Sequence, residues 1–371
     1  MLKINCLKKD LLKATQIIIG AITPKTTLPI LSNLLIEAKK DNLSIFATDL
    51  EIGMKYTIKC NVIKEGIITL PARHLTNIVK ELPGGELEII EEKNNIIKIK
   101  SGKILFSINS LKKDEFPKFP SSLKEQSINI NTSVIKDVIC KTAFAMSHDE
   151  VRYVLNGVYL EIGKDGENKG LLSAVATDGK RLAYIFNNIN IPNNYTKKVI
   201  IPSKTIKEIV RIIDEWKNVK IIIGEKQINF ETDNLLLTSR LIEGHFPDYN
   251  QVLPKKHKER IKLNTEQFIT SVKRVALLVS DKTNYIKINL KKDVMILLIE
   301  SPEIGQAREE IEIDYKGEEL TIAFDPNYIT DVLKNIRDEE IYFDFIDDEN
   351  PGVIRQVNSD NYLCVIMPIK I

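Results

Sequence analysis

Apolar and polar positions alternate in two rhythms along this chain: the 3.6-residue period of a helix lying on a core, and the two-residue period of a half-buried strand. The helical rhythm is clearest after Pro71, where Leu75, Ile78, Val79 and Leu82 fall at i, i+3, i+4 and i+7. Proline suits the first turn of such a helix. The stripe returns after Pro202, 131 residues on, at Ile206, Ile209, Val210 and Ile213, and again 123 residues later at Ile329, Val332, Leu333 and Ile336. Three stripes in register mark an internal repeat.

Other features recur with nearly the same spacing. Each copy opens on a strand-to-helix passage, at Ile4-Asn5, Ile130-Asn131 and Leu263-Asn264. The helices that follow carry Leu7, Val134 and Phe268, then Leu11, Val138 and Val272, at corresponding positions to within a residue or two. Copies one and two close on FPKFP (116–120) and FPDYNQVLP (246–254), whose paired prolines favour an extended linker. The pattern predicts helices over 7–20, 72–82, 132–146, 203–216, 265–279 and 326–337. Between them lie short runs rich in Ile, Val, Leu and Thr, such as 88–90, 96–99, 220–223 and 340–345, several alternating as antiparallel strands do. The expected fold class is α+β, with two helices on one sheet face in each of three domains, 1–126, 127–254 and 255–371.

Composition narrows the function. No apolar run reaches the 18 or more residues of a membrane span, and Lys8, Lys9, Asp10 and Lys13 interrupt the start where a secretory signal would be apolar. A cytoplasmic location is expected. The four cysteines (Cys6, Cys60, Cys140, Cys364) are scattered, and no two of the four histidines lie at metal-ligand spacing. Neither a disulfide nor a metal or other cofactor is expected. A net charge of +2 predicts no strong pull on nucleic acid. The total conceals a split, since the six predicted helices hold fourteen basic and eight acidic residues, leaving the remainder net acidic. Lys80, Arg211 and Lys334 also keep the 131 and 123 offsets. Helices arranged around a common axis would then form a positive wall suited to phosphates and indifferent to base sequence.

The phrases TLPILSNLL (27–35), ATDLE (47–51), VRYVLNG (151–157), ATDGKRLA (176–183), FPDYNQVLP (246–254) and MPIKI (367–371), in this order, resemble the bacterial sliding clamp family, the beta subunit of DNA polymerase III. The resemblance spans the whole chain. It implies a ring-shaped head-to-tail homodimer with helices lining the inside and antiparallel sheets outside. Such a ring encircles duplex DNA without sequence specificity, tethers the replicative polymerase as a processivity factor and is associated with the nucleoid. Implied partners are the polymerase III catalytic subunit, the clamp loader, and other polymerases and repair proteins. The implied peptide pocket comprises Arg152, Leu155, Thr177, Gly179, Lys180, Arg181, Leu182, Pro247, Val252, Tyr328, Val365, Met367, Pro368 and Ile369. Arg181 is expected to offer it a cation. Implied dimer contacts pair Phe106 and Ile108 with Leu278 and Val279. DNA contacts are expected from Lys9, Arg73, Lys80, Lys136, Lys204, Arg211, Lys273 and Lys334 on helices, and by resemblance from Lys25, His148 and Tyr153 in loops. Three features depart from the family pattern: a pI near 8.1, the acidic pair Asp149-Glu150, and Asp325 where Asn is more usual.

The sharper chemical readings are weaker. Asp178 beside Lys180 suggests catalysis, but an Asp-Gly pair is more often a turn, and no convergent acid, base or nucleophile accompanies it. The alternative class is a metal-dependent nuclease, which needs clustered carboxylates. Its candidates, Asp347-Asp348-Glu349 and Glu309-Glu310, read as solvated edges. No enzymatic activity is expected, 3'-5' exonuclease included.

Overall fold

The structure is a computed structural model that describes residues 1–23, 28–120, 123–164, 169–254 and 257–370. Six helices are present among them: α1 (Lys8–Ile18), α2 (Ala72–Glu81), α3 (Thr132–Ala143), α4 (Ser203–Ile212), α5 (Thr265–Val275) and α6 (Pro326–Leu333). Each begins within a residue of its predicted start. Three end early because the last turn tightens to 3-10 geometry, at Ile19–Ala21, Ile213–Glu215 and Ala276–Leu278.

That tightening explains one misread position. In α2 and α6 the residues Val79 and Leu333 are buried, as the stripe requires, but their counterpart Val210 is 39% exposed. Ile212 and Ile213 are buried in its place, because the chain leaves α-helical spacing at Ile212. Leu7, expected on the inner stripe, is likewise exposed, for it ends a strand rather than opening a helix.

The chain divides into two compact units. The first comprises Met1–Thr132 and Lys207–Leu241 and holds two antiparallel sheets. Five strands form one, with Ile104–Asn109 at an edge. In the other, of eight strands, residues 127–131 and 218–240 of the middle third continue the sheet of the first third. The junction pairs Leu235 with Tyr56 through to Ser239 with Ile52. Helices α1 and α2 pack together in this unit.

The second unit, Ser133–Ile206 and Ile242–Ile371, repeats the plan. Its eight-stranded sheet joins residues 157–202 of the middle third to the last third, pairing Arg181 with Ile366 through to Ile185 with Tyr362. A four-stranded sheet ends on the edge strand Gly305–Glu312. Helices α5 and α6 pack together as α1 and α2 do. A shared device starts both pairs. The first helical N–H donates to a carbonyl beyond the second helix, Lys8 to Gly85 and Thr265 to Glu339, each at 2.9 Å, satisfying a donor that the helix leaves free.

Candidate docking groove and nucleic-acid face

In the second unit, strand Arg181–Asn188 is entered through a tight turn. Thr177 Oγ1 donates to the Arg181 carbonyl at 2.6 Å, and the Gly179 amide donates back to Thr177 Oγ1 at 3.1 Å. Asp178 Oδ1 accepts from the amides of Lys180 (2.9 Å) and Arg181 (3.0 Å). Asp178 therefore builds the turn, as the Asp-Gly pair predicts. Gly179 has φ +87°, and a Cβ there would lie 2.6 Å from Arg152 Nη1.

Each nitrogen of the Arg181 guanidinium is engaged. Nε meets Asp178 Oδ2 at 3.1 Å, Nη1 meets Asp331 Oδ2 at 2.8 Å, and Nη2 donates to the Phe144 carbonyl at 2.8 Å. It also lies over the Tyr328 ring, 4.5 Å from its centroid. Arg181, expected to offer the groove a cation, directs its guanidinium to partners within the chain. The side chain locks strand, α6 and the end of α3 together around the groove. Asp331 and Phe144 were missed by sequence reasoning, although Asp331 lies three residues beyond Tyr328 on one face of α6. Asp325 caps α6 by accepting from the Asn327 amide at 2.8 Å, so the departure from Asn keeps the cap.

Leu182 and Val365 are buried in one apolar cluster with Val175, Val353 and Leu363. Phe246, Tyr249 and Leu253 of the FPDYNQVLP linker pack against it, with Phe246 stacked on Tyr159 at 4.9 Å. That clamps the linker bearing exposed Pro247 and Val252 to the sheet. The Met367 amide donates to the Lys180 carbonyl and the Ile369 amide to the Ala323 carbonyl, which seats the chain end carrying Pro368 across this face. Met367 itself is 40% exposed, while Leu155 is buried. Beneath lies Cys364, whose thiol burial pushes up to about 12. The result is an apolar floor with adaptable Met367 at its rim and exposed Lys180 and Arg152 beside it.

The predicted phosphate-binding positions separate. Lys9, Arg73, Lys80 and Lys273 are exposed and form no ion pair among the described residues. Lys334 is exposed but pairs with Asp331 at 3.2 Å. Lys136 and Lys204 are half-buried, and each is engaged by other groups. Arg211 departs most from expectation. Its Nε meets Glu208 at 2.8 Å while Nη1 and Nη2 donate to the carbonyls of Gln16 (3.0 Å) and Ile17 (2.5 Å), so it caps the end of α1. One repeat position thus serves three uses. His148 and Tyr153 are exposed around the 3-10 turn Glu150–Leu155, which Asp149 caps. Lys25 lies outside the described residues.

Two strand edges also expose apolar groups. Strand Ile104–Asn109 presents Ile104, Leu105 and Phe106, with Ile108 half-buried. Beside edge strand Gly305–Glu312, Leu278 and Val279 are half-buried, whereas Leu277 is 80% exposed. Leu277 was missed, and its signal was the run Ala276-Leu277-Leu278-Val279 following Arg274, more apolar length than one helix face can bury. The nuclease candidates have other work. Glu309 accepts from Arg274 and Ser271, and the Arg274 hydrogen bond holds its carboxyl below the usual range. Asp347 Oδ1 closes a turn with the amides of Glu349 and Asn350.

Sequence models of the DNA polymerase III beta subunit match the chain in three stretches: the N-terminal domain at residues 2–120, the central domain at 129–248 and the C-terminal domain at 250–370. The beta sliding clamp of Bacillus subtilis is 33% identical over 381 residues, covering all of both chains. That of Chlamydia muridarum is 32% identical, covering 98% of this chain and 96% of its own. Among solved structures, a sliding clamp from Bartonella birtlesii bound to griselimycin superposes with TM-score 0.95 at 30% identity, over the full length of both. The Bacillus subtilis clamp structure gives 0.94 at 32% identity, over all of this chain and 99% of that one.

Proposed function

The chain belongs to the DNA polymerase III beta subunit family, and from that premise we infer that it is a DNA sliding clamp. Two copies close head to tail into a ring around duplex DNA and hold the replicative polymerase there. The protein performs no catalytic step of its own. Its three domains divide near residues 126 and 254, and it acts on DNA in the cell interior; none of its described helices is long and apolar enough to cross a membrane.

The observation that carries the ring is the contrast between the two strand edges. Ile104–Asn109 is apolar and neighboured by exposed Lys100 and Lys103, while Gly305–Glu312 carries exposed Glu312, and Glu310 paired with Arg308, beside Leu277. Each is a template with one unpaired side. Two edges of different character, one lysine-flanked in the first unit and one glutamate-bearing in the second, suit a heterologous contact that closes by rotation. Phe106 and Ile108 of one copy would meet Leu277, Leu278 and Val279 of the next.

The groove at Thr177–Arg181 receives short peptides with Leu or Phe anchors from polymerase, clamp loader and repair proteins, which compete for it. Arg152, Leu155, Leu182, Pro247, Val252, Tyr328, Val365, Met367, Pro368 and Ile369 make its walls. Lys9, Arg73, Lys80 and Lys273, with His148 and Tyr153, give weak and exchanging phosphate contacts. Each such contact contributes about −0.9 to the slope of log affinity against log salt.

Topology supplies the test. Ring loaded on a circular plasmid is expected to survive a high-salt wash and to leave when the plasmid is cut. Equal salt sensitivity on circular and linear DNA, with loading demonstrated, would overturn the clamp reading.

A further inference from the structure

The turn Thr48–Ile52 in the first unit has the hydrogen bonds of the turn Thr177–Arg181. Thr48 Oγ1 donates to the Ile52 carbonyl (2.9 Å), the Leu50 amide donates to Thr48 Oγ1 (3.0 Å), and Asp49 Oδ1 accepts from the amides of Glu51 (3.0 Å) and Ile52 (2.9 Å). The correspondence extends outward. Strand 235–240 pairs with the strand leaving this turn, and the Arg240 amide donates to the Glu51 carbonyl at 2.9 Å, as Met367 does to Lys180. The linker repeats too: Phe116-Pro117 and Phe119 take the places of Phe246-Pro247 and Tyr249, with Phe119 edge-on to Phe46 at 5.2 Å.

A cavity of about 200 Å³ opens here, lined by Leu50, Glu51, Gly53, Pro117, Lys118 and Arg240 among others. Its chemistry differs from the groove in the second unit. Register places Gly53 where that groove has Leu182, and the Phe119 ring comes within 3.1 Å of where a Gly53 Cβ would stand. The deep apolar floor is therefore filled by the chain itself. What remains at the mouth are two exposed cations, Arg240 and Lys118, neither with an ion pair among the described residues, against one carboxylate, Glu51, which is engaged by another group.

We propose that this cavity is a second docking site on each chain, and that it takes an extended acidic peptide segment whose carboxylates pair with Arg240 and Lys118. The inference rests on the reading of the Thr177–Arg181 groove as a peptide site. Selectivity between the two follows from their walls: the groove with Leu182 and Met367 selects an apolar anchor, and the cavity with Arg240 and Lys118 selects negative charge.

Fluorescence anisotropy on the full chain tests this with two labelled octapeptides in a Gly-Ser context, one bearing Leu between Glu residues and one bearing Leu and Phe without charge. The acidic peptide is expected to bind wild type and the variant lacking residues 367–371 alike, and to weaken roughly fivefold or more in Arg240→Glu/Lys118→Glu. Both sites of substitution are exposed, and an unchanged melting curve reports the fold. The single variant Leu50→Arg, which adds a cation to the same wall, is expected to tighten it. Acidic-peptide binding that is absent, indifferent to these substitutions, or lost on removal of 367–371 would overturn the second site. The neutral peptide reports on the first groove separately: it should be lost with 367–371 and kept in the double variant. Indifference of the neutral peptide to that deletion would overturn the reading on which the inference rests.

Discussion

The turns Thr48–Ile52 and Thr177–Arg181 share a backbone but not a third residue, and the difference separates two reasons for placing a glycine. Leu50 holds φ +78° where Gly179 holds +87°. The Thr and Asp side chains thus suffice to impose a left-handed residue, at a cost of about 1 kcal/mol for a residue with a Cβ. Glycine at 179 answers a second demand, the close approach of Arg152, whose Nη1 would lie 2.6 Å from a Cβ there. The fifth-position contrast is as sharp. Ile52 anchors its turn by burial at 1% exposure, whereas Arg181 anchors the other through three polar partners.

The largest effect should come from breaking the polar anchor. Arg181→Ala leaves Asp178 without its cation and Asp331 with only the exposed Lys334, and is expected to destabilise the chain by about 3 kcal/mol in chemical denaturation. Arg181→Lys should recover only part of this, because an ammonium cannot reach three acceptors in one plane. Full recovery would mean that the geometry of the guanidinium is unimportant.

A second test uses Cys364, whose counterpart in the first unit is Leu237. Burial raises its pKa from 9.0 to about 12, so the folded state favours the protonated thiol. That contribution is fully present below pH 9 and is lost progressively as pH rises toward 12, on the order of 1 kcal/mol by pH 10. Cys6, also raised to about 12, contributes in the same direction from the first unit. Cys364→Val should flatten the decline in stability above pH 9 without abolishing it, measured by denaturation across pH 8 to about pH 10.

Exchanging the third residues is the smallest and most discriminating change. Gly179→Ala should cost about 1 kcal/mol from the backbone, and it should also weaken peptide binding because Arg152 must move. Leu50→Gly relieves the same strain but loosens the unfolded chain, so a net change within about 0.5 kcal/mol is expected. A larger loss would mean that the Leu50 side chain holds the turn.

Much of this was legible in the sequence because helices declare themselves locally. The four apolar positions after Pro71 fix a start, a face and an approximate end for α2, and the offsets carried that to α4 and α6. Val210 was misjudged because the switch to 3-10 spacing at Ile212 depends on what the helix end packs against. The sheets were legible as strands but not as partners. Nothing near Ile52 announces that its neighbour is Ser239, since such pairing is decided by tertiary packing. The groove was visible as a set of residues through resemblance, yet the role of Arg181 was not, because Phe144 and Asp331 lie far from it along the chain. Charge periodicity likewise found Arg211 but could not reveal the carbonyls of Gln16 and Ile17 that claim it.

The junction between Ile52–Lys59 and Leu235–Arg240 has a consequence for how the protein is made. Ribosomes add about 5–20 residues per second, so the earlier strand emerges on the order of ten seconds before its partner exists. The second junction is later still, since Arg181–Asn188 must wait for Tyr362–Ile366, five residues from the end of the chain. During synthesis both sheets stand half built with open edges, and nascent chains on one messenger bring such edges close together. Premature termination before residue 362 would leave the second sheet permanently open, marking truncated copies for aggregation or removal.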